Sequence, residues 1–205
     1  MDIIQKHKIK IIEPENPKGT IMFGNGFGTD QTYWNNITPK FEKDYKIVHY
    51  ENIGANNAGT EFYSPNKYDN LNTYSRDLIN ICKHLDLKDI IFVTHSVSGM
   101  IGLLASNMDE SLFSKIIFIG ASPRYLNDDG YTGGFNSPDL ENLFETMRAN
   151  YFAWASGFGP IAMNTPGKPE LSDYFVKTLS AIRPDIAISV AKTIFYSDHR
   201  EDLPK

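Results

Sequence analysis

The chain of 205 residues has the length of one domain, since domains usually run about 100 to 200 residues. Apolar residues at 41% and charged residues at 22% are typical of a globular protein and exclude a disordered or collagen-like chain. A net charge of -5, with no run dense in Lys and Arg, excludes the basic surface that nucleic-acid binding requires.

The cysteine content and the N-terminus indicate a cellular location. Cys82 is the only cysteine, which excludes an internal disulfide and an all-Cys metal site and fits a reducing compartment. Charged residues interrupt the first eight positions, and no apolar run reaches the ~20 residues that a membrane span needs. We therefore expect a cytoplasmic protein with no metal, no cofactor and neither a membrane nor a nucleic-acid partner.

Short β-branched runs alternate with amphipathic segments over the first 120 residues, a pattern typical of a mostly parallel sheet flanked by helices. The predicted strands are, in chain order, residues 7–13, 20–24, 45–50, 89–94 and 115–121. The last two contain apolar runs without alternation, which is typical of strands covered on both faces. We therefore place them in the middle of the sheet.

Two helices are predicted between these strands. Residues 73–85 carry apolar side chains at spacings of three and four, which predicts a helix that crosses over between parallel strands. Residues 97–108 begin directly behind a strand and are rich in small and apolar residues. This second segment is predicted to be a buried helix close to the sheet.

The pattern changes after residue 122, where a glycine-punctuated loop leads to Ser137 and Pro138, a typical helix start. The first helix is expected to place apolar residues from Leu140 to Trp154 on one side, and helical stretches around 171–182 and 184–197 follow without strand signals. We predict a core over 1–122, a helical cap inserted over 123–197, and the start of a return to the core over 198–205.

The segment around Ser96 is the sharpest candidate for chemistry, because a serine lies at the turn from a predicted strand into a predicted helix. The nucleophile elbow G-x-S-x-G has small residues two before and two after its serine, so that strand and helix can approach closely. Here Thr94 and Ser98 hold those places, and Gly99 follows. The motif alone supports a nucleophile and a simple helix cap equally; the strand before Ser96 and the helix after it favour the nucleophile.

Glycines at 24, 26 and 28 follow another predicted strand. In a hydrolase, such a loop supplies a backbone donor to an oxyanion, so the donors here would be the amides of Phe27 and of Val97, the residue after the serine. A dinucleotide site is an alternative, with Glu51 far enough downstream to meet a ribose, although its fingerprint needs a glycine at Thr29. A purely structural loop is a further alternative.

A serine nucleophile needs a base, and Asp198 and His199 follow Ser96 in the chain order Ser, Asp, His. Adjacent residues on a helix point about 100° apart, so Asp198 is poorly placed to orient His199. A charged helix end over residues 198–202 is the preferred interpretation. His95 adjoins the serine in the turn, and we expect its side chain to point away from Ser96.

Several segments together resemble a known family: residues 26–31 with Trp34, 94–98, 122–128 and 195–203. They resemble α/β-hydrolases of the RsbQ type, bacterial regulators of the energy-stress branch of the sigma-B pathway, and by extension the plant karrikin and strigolactone receptors. The resemblance spans nearly the whole chain. It implies an α/β-hydrolase fold, that is, a mostly parallel sheet flanked by helices and covered by a four-helix cap.

The resemblance also implies site residues. The nucleophile would be Ser96, and the oxyanion donors would be Phe27 and Val97. The positions that match an apolar substrate pocket under the cap are Phe135, Trp154, Phe158 and Phe195. The chain departs from the family pattern where Thr94 and Ser98 replace the elbow glycines, and over residues 51–56, where relatives have an aspartate and a second glycine.

By this resemblance, the expected function is a serine hydrolase of the carboxylic-ester type, acting on a small hydrophobic ester or lactone in stress signalling through a sigma factor. The alternative is a sensor without turnover, in which the pocket binds a small hydrophobic ligand and the cap engages a regulatory protein phosphatase.

Compared with the α/β-hydrolase fold that the resemblance implies, the chain is short. The chain stops after the cap, before two further strand-helix units of about 30 residues each. Those units would bring the acid and the base of the triad, in that order, after Ser96. We therefore expect a partial sequence with an open sheet edge and, as 205 residues, low stability or weak activity.

Overall fold

The centre of the fold is a five-stranded sheet in the order β1-β3-β2-β4-β5, in which β1 is antiparallel to β3 and the other pairs are parallel. It is seen in a computed structural model that describes residues 2–56 and 58–204. The strands are β1 (Lys10–Ile12), β2 (Thr20–Gly24), β3 (Lys46–His49), β4 (Ile90–His95) and β5 (Phe113–Ile119). The sheet is mostly parallel, as the alternating pattern predicts.

The predicted first strand is wrong at its start. Residues Ile3–Lys6 form a short helix, α1, because the side chain of Asp2 accepts a hydrogen bond of 2.9 Å from the Ile4 backbone N–H and so caps it. His7 follows as the C-cap of that helix. Strand pairing therefore starts only at Lys10, opposite His49.

The prediction that the strand around 115–121 lies in the middle of the sheet is also wrong. Among the described strands, β5 pairs only with β4 and forms the edge, and Ile117, Phe118 and Ile119 are each 45–46% exposed. An uninterrupted apolar run predicts a strand that is covered on both faces, but successive side chains point to opposite faces and all three are exposed, so both faces of this end of β5 are open. The interior strands are β2, β3 and β4.

Two long helices pack on the sheet: α2 (Leu71–His84) and α3 (Val97–Met108). They are joined through Ser75, whose hydroxyl donates to the Ile101 carbonyl over 2.9 Å. A close approach of α3 to β4 requires Gly102, since a Cβ there would lie 2.8 Å from the ring of Phe92. Cys82 is buried in this layer, and burial raises the pKa of its thiol to about 12.

Four helices follow the sheet: α4 (Ser137–Ala149), α5 (Tyr151–Met163), α6 (Pro169–Ser180) and α7 (Pro184–Phe195). The N-cap of α4 is Asn136 rather than Ser137, because Asn136 and Asp139 form a capping box. The predicted first helix through Trp154 is divided in two at Asn150, which ends α4 and whose side chain then caps α5 by accepting from the Ala153 N–H over 3.0 Å.

The four helices share one apolar core with the sheet layer, in which residues of β4 and α3 are clustered with residues of all four cap helices. Polar contacts also join the two parts, and the Thr178 hydroxyl of α6 donates to the Gly28 carbonyl over 2.6 Å. Helix α6 therefore lies against the glycine-rich loop. Across the described ranges, none of the helices combines the length and the apolar character that crossing a bilayer would require.

Candidate active site

Ser96 occupies the turn between β4 and α3 with a strained backbone, φ 54° and ψ -125°. The turn is held on both sides, since the Ser96 N–H donates to the Ile119 carbonyl and the Gly99 N–H donates to the Ser96 carbonyl, each over 2.9 Å. A sharp, strained turn from strand to helix is the geometry that exposes the hydroxyl of a nucleophilic serine at the end of a sheet.

Thr94 and Ser98, which stand where an elbow has glycines, are fully buried and both use their hydroxyls. Thr94 Oγ1 donates to the Ile117 carbonyl of β5 over 2.9 Å. Ser98 Oγ donates to the Asn25 carbonyl over 2.5 Å and accepts from Asn52 Nδ2 over 3.1 Å. The two departures from the motif therefore tie the turn to the neighbouring strand and to the glycine-rich loop.

The glycine-rich loop closely approaches the serine turn at Gly26. A Cβ at this position would lie 2.6 Å from His95 Nδ1 and 3.2 Å from Ser96 Cβ, so only glycine fits. The next N–H, that of Phe27, and the N–H of Val97 have no recorded acceptor within residues 2–56 and 58–204. Two free backbone donors beside a serine are what an oxyanion hole requires.

A cavity of about 510 Å³ lies between this turn and the helices above it. Both Ser96 and Phe27 line it, as do all four aromatic residues that the sequence places in a pocket. These are Phe135, Trp154, Phe158 and Phe195. The structure thus brings the predicted site residues together, with Val97 directly behind Ser96.

The wall of the cavity is built from packed aromatic rings. Trp154 stacks on Phe158 with ring centroids 5.1 Å apart. Phe195 meets Tyr125 and Phe135 edge to face, at 5.1 and 5.6 Å. A wall of this composition favours an apolar ligand.

Tyr125 is a site residue that the sequence did not identify as lining the pocket. Burial raises the pKa of its phenol, and the nearby Ser96 side chain partly opposes that shift. Tyr125 follows β5 by six residues, and its direction depends on how that loop folds back over the sheet. The sequence signals were its place among the aromatic residues of the predicted cap, some of which are expected to line a cavity above Ser96, and its place within the segment 122–128 of the resemblance.

His95 lies in the wall of the same cavity as Ser96, and the expectation that its side chain points away from Ser96 stays a prediction. Burial lowers the pKa of this imidazole, which keeps it neutral near pH 7. In the described part of the chain, no hydrogen bond is recorded between Ser96 Oγ and a histidine. The structure thus places a neutral histidine beside the serine without a hydrogen bond to its hydroxyl.

The pair Asp198 and His199 does not form a triad with Ser96. Asp198 binds the guanidinium groups of Arg124 and Arg200, which hold the pKa of its carboxyl well below the usual range. His199 Nδ1 instead lies 3.1 Å from Asp202 Oδ2. The interpretation of residues 198–202 as a charged helix end is the one that these contacts support.

Glu51, which the dinucleotide alternative assigned to a ribose, is only 2% exposed and is engaged by the chain itself. Its carboxylate accepts hydrogen bonds from Asn25, Gln31 and Asn56. Burial raises its pKa to about 7. Over residues 2–56 and 58–204, no group of three or more His, Cys, Asp or Glu side chains is placed to hold a metal ion.

Comparisons with known proteins agree with this geometry. No family model matches the chain. A probable esterase of Oryza sativa subsp. japonica is 42% identical over 205 residues, which are 100% of this chain and 75% of that protein. A strigolactone esterase of Arabidopsis thaliana is 42% identical over 180 residues, 88% of this chain and 67% of that protein.

A karrikin insensitive 2 receptor of Petunia hybrida is 41% identical over 205 residues, 100% of this chain and 75% of that protein. The structure of a hydrolase from Oleispira antarctica matches with a TM-score of 0.92 and 31% identity, over 98% of this chain and 74% of that one. The predicted relationship to the plant receptors is thereby confirmed, whereas the RsbQ type stays a prediction. The chain belongs to the α/β-hydrolase superfamily, in the group of these esterases and receptors.

Proposed function

We propose that the protein is a serine hydrolase in which Ser96 is the nucleophile. The observation that carries the proposal is the strained turn at Ser96, which opens into an apolar cavity of about 510 Å³. The names of the relatives, esterases and a hydrolase among them, support the same reaction class.

In the proposed reaction, Ser96 Oγ attacks the carbonyl carbon of an ester or lactone. The bond from that carbon to the leaving oxygen breaks, the leaving oxygen takes up a proton, and an acyl group remains on Ser96. Water then cleaves the acyl-enzyme, which releases the acid and restores the serine. The N–H groups of Phe27 and Val97 stabilise the oxyanion in both steps, and losing one such donor usually costs about 100- to 1,000-fold in kcat.

The proton of Ser96 passes to a general base, which is a histidine in most enzymes of this class. No described histidine is hydrogen-bonded to Ser96 Oγ. The expectation that the acid and base follow in further strand-helix units stays a prediction.

We infer a small hydrophobic ester or lactone as the substrate. Pockets for small molecules usually measure about 300 to 1,000 Å³, and this cavity falls within that range. Its wall is mainly aromatic, with Phe135, Trp154, Phe158 and Phe195 around the space above Ser96. Few polar groups face it, so an apolar body with one reactive carbonyl suits it.

A fluorophosphonate probe tests the nucleophile in the intact protein. The probe should form a phosphorus–oxygen bond with Ser96 as fluoride leaves, and peptide mass spectrometry should find the adduct on that residue. Ser96→Ala should abolish labelling, while Ser156→Ala, which changes an exposed serine of α5, should not. No adduct in the wild type, or labelling that survives Ser96→Ala, would refute the proposal.

A second candidate is a sensor that binds its ligand without needing turnover, and the 41% identity to a karrikin insensitive 2 receptor favours it. Thermal stabilisation of Ser96→Ala by a hydrophobic lactone, equal to that of the wild type, would support it. A cytoplasmic location is proposed from the single cysteine and the charged N-terminus, and a role in sigma-factor signalling and a regulatory phosphatase partner are proposed on the resemblance of the sequence alone. Capture of such a phosphatase by the ligand-bound protein tests the last of these.

A further inference from the structure

Glu51 lies beneath the glycine-rich loop and joins its two ends. Oε2 accepts a hydrogen bond of 3.0 Å from the side chain of Asn25, where the loop begins. Oε1 accepts one of 2.9 Å from the backbone N–H of Gln31, where the loop ends. A third bond reaches Oε2 from Asn56 Nδ2. One buried carboxylate thus closes the loop 25–31, and Phe27 lies near its middle.

The partners of Glu51 can only donate to it. Asn25 is fixed in orientation because its Oδ1 accepts from Trp34 Nε1 over 2.7 Å and its Nδ2 also donates to the Tyr50 carbonyl. Asn56 is fixed likewise, since its Oδ1 accepts from the Ala58 N–H over 2.6 Å. The Gln31 donor is a backbone N–H. Each of the three donors is therefore met by a carboxylate oxygen that accepts, and the ionised form of Glu51, which only accepts, fits the three of them best.

The same loop is the one that supplies the Phe27 N–H to the proposed oxyanion hole. On the side of β3, the Gly28 N–H donates to the Ala55 carbonyl over 2.9 Å, which ties the residue after Phe27 to the segment that follows Glu51. An oxyanion donor acts only when it is held within a few tenths of an ångström of its place before the reaction. Contacts that fix the ends of this loop therefore also fix the position of the Phe27 N–H.

We propose that Glu51 is a positioning residue for the oxyanion hole, which holds the loop 25–31 so that the Phe27 N–H is aimed at the carbonyl bound to Ser96. This inference rests on the proposed function. Glu51 does not touch the substrate, because its side chain is absent from the lining of the cavity above Ser96. It acts through Asn25 and Gln31.

The test is the kinetics of fluorophosphonate labelling of Ser96 in the intact protein, wild type against Glu51→Gln. The glutamine amide would turn an NH₂ group toward at least one fixed donor, so the loop should shift while the cavity wall stays. We expect the labelling rate at saturation to fall by roughly 10- to 100-fold and the probe concentration for half saturation to change less than about threefold. Glu51→Asp keeps the acceptor and should recover part of the rate.

Thr38→Val is the matched control, since it removes a buried hydrogen bond of 3.1 Å to His49 beside the same sheet without touching the loop. It should lower the melting temperature with no change in labelling rate. If Glu51→Gln is not recovered folded, Gln31→Pro carries the test, because it deletes the backbone donor to Glu51 at a first helical position that follows an already extended Asp30. Gln31→Ala is its control, since both variants lose the bond from the Gln31 side chain to the Lys8 carbonyl and only the proline loses the backbone donor.

The outcomes separate the two proposals. A labelled wild type with the same saturating rate in Glu51→Gln or Gln31→Pro would overturn the role of Glu51 and leave Ser96 as the nucleophile. A change only in the probe concentration for half saturation, with an unchanged saturating rate, would also overturn the role of Glu51. An equal loss of saturating rate in Thr38→Val would do the same. An unlabelled wild type would overturn both proposals.

Discussion

At the scale of single residues, Glu51 is held between two opposing effects. Burial favours its neutral form, whereas three donated hydrogen bonds favour the carboxylate, and the balance leaves its pKa raised from 4.5 to about 7. The group therefore binds its proton more tightly in the folded protein than in the unfolded chain. Ionising Glu51 in the folded protein therefore costs stability. The hydrogen bonds that its carboxylate accepts are the ones that fix the loop 25–31.

This balance predicts a pH dependence of folding. Between about pH 4.5 and pH 7, the unfolded chain has released the Glu51 proton and the folded protein has not, so stability from this group falls as the pH rises. The slope is at most about 1.4 kcal/mol per pH unit. Urea unfolding of the wild type and of Glu51→Gln between pH 5 and pH 8 measures this slope.

The difference between the two proteins is the quantity to compare, because other titrating groups contribute equally to both. Buried His49, for example, has a pKa lowered to about 4, and its contribution makes the folded state more stable as the pH rises. The stability of Glu51→Gln relative to the wild type should rise with pH up to about 7 and then level off, whichever of the two is the more stable. A constant difference across this range would contradict the shifted pKa.

At the scale of elements, the contact between α5 and α6 depends on Gly159. A Cβ there would lie 2.3 Å from Val176 Cγ2, so the two helices approach too closely for a side chain. Two residues earlier on the same helix, Gly157 is exposed and has open space around it. The two glycines therefore form a matched pair for mutation.

Gly159→Ala should lower the free energy of unfolding by about 1 to 3 kcal/mol, through overpacking against Val176 and through the clash of a Cβ with the following Pro160. Gly157→Ala should raise it by up to about 1 kcal/mol, because alanine is the better helix former. Chemical denaturation of both variants gives the comparison. Equal effects would show that the close approach of α5 and α6 contributes nothing.

The elements also show what the sequence could predict. Strand 20–24 and helix 97–108 were predicted with their observed bounds, because each is a short, strongly apolar segment between clear turn signals. The break between α4 and α5 was missed, since apolar residues keep a helical spacing across it. Asn150 serves as the end of one helix and the cap of the next, and local spacing does not reveal that double role.

The site residues also divide into those that the sequence predicted and those that it did not. The serine, the loop and four cavity aromatics follow from motifs and from the family pattern, and the structure places them around one space. Tyr125 was not singled out among the aromatic residues of the cap, and His95 was not assigned to the wall. Their directions depend on a loop that folds back after β5 and on a strained turn, which are properties of the tertiary structure.

At the scale of the whole molecule, the edge strand β5 predicts how the 205-residue chain behaves in solution. Exposed apolar side chains at 117–119 lie beside an unpaired strand edge in the described structure. An unpaired edge of this kind can pair with a strand of another chain. The chain should therefore self-associate as its concentration rises. Sedimentation velocity over a concentration series measures this.

Ile117→Lys should shift the sedimentation toward monomer, because a lysine on an edge strand opposes pairing with another chain. Lys115→Arg, which leaves the charge of the same strand unchanged, is the control. Association that is insensitive to Ile117→Lys would place the contact elsewhere on the surface.

The burial of Cys82 makes the protein convenient for distance measurements. Its thiol lies on α2 and is fully buried, and with a pKa raised to about 12 it is protonated and slow toward alkylating reagents at neutral pH. A pair of cysteines introduced at exposed positions, such as Gly157 on α5 and Lys115 on β5, would carry fluorophores while the native thiol stays unlabelled. Energy transfer between the two dyes would then report how far the helical layer lies from the sheet, with and without a bound lactone.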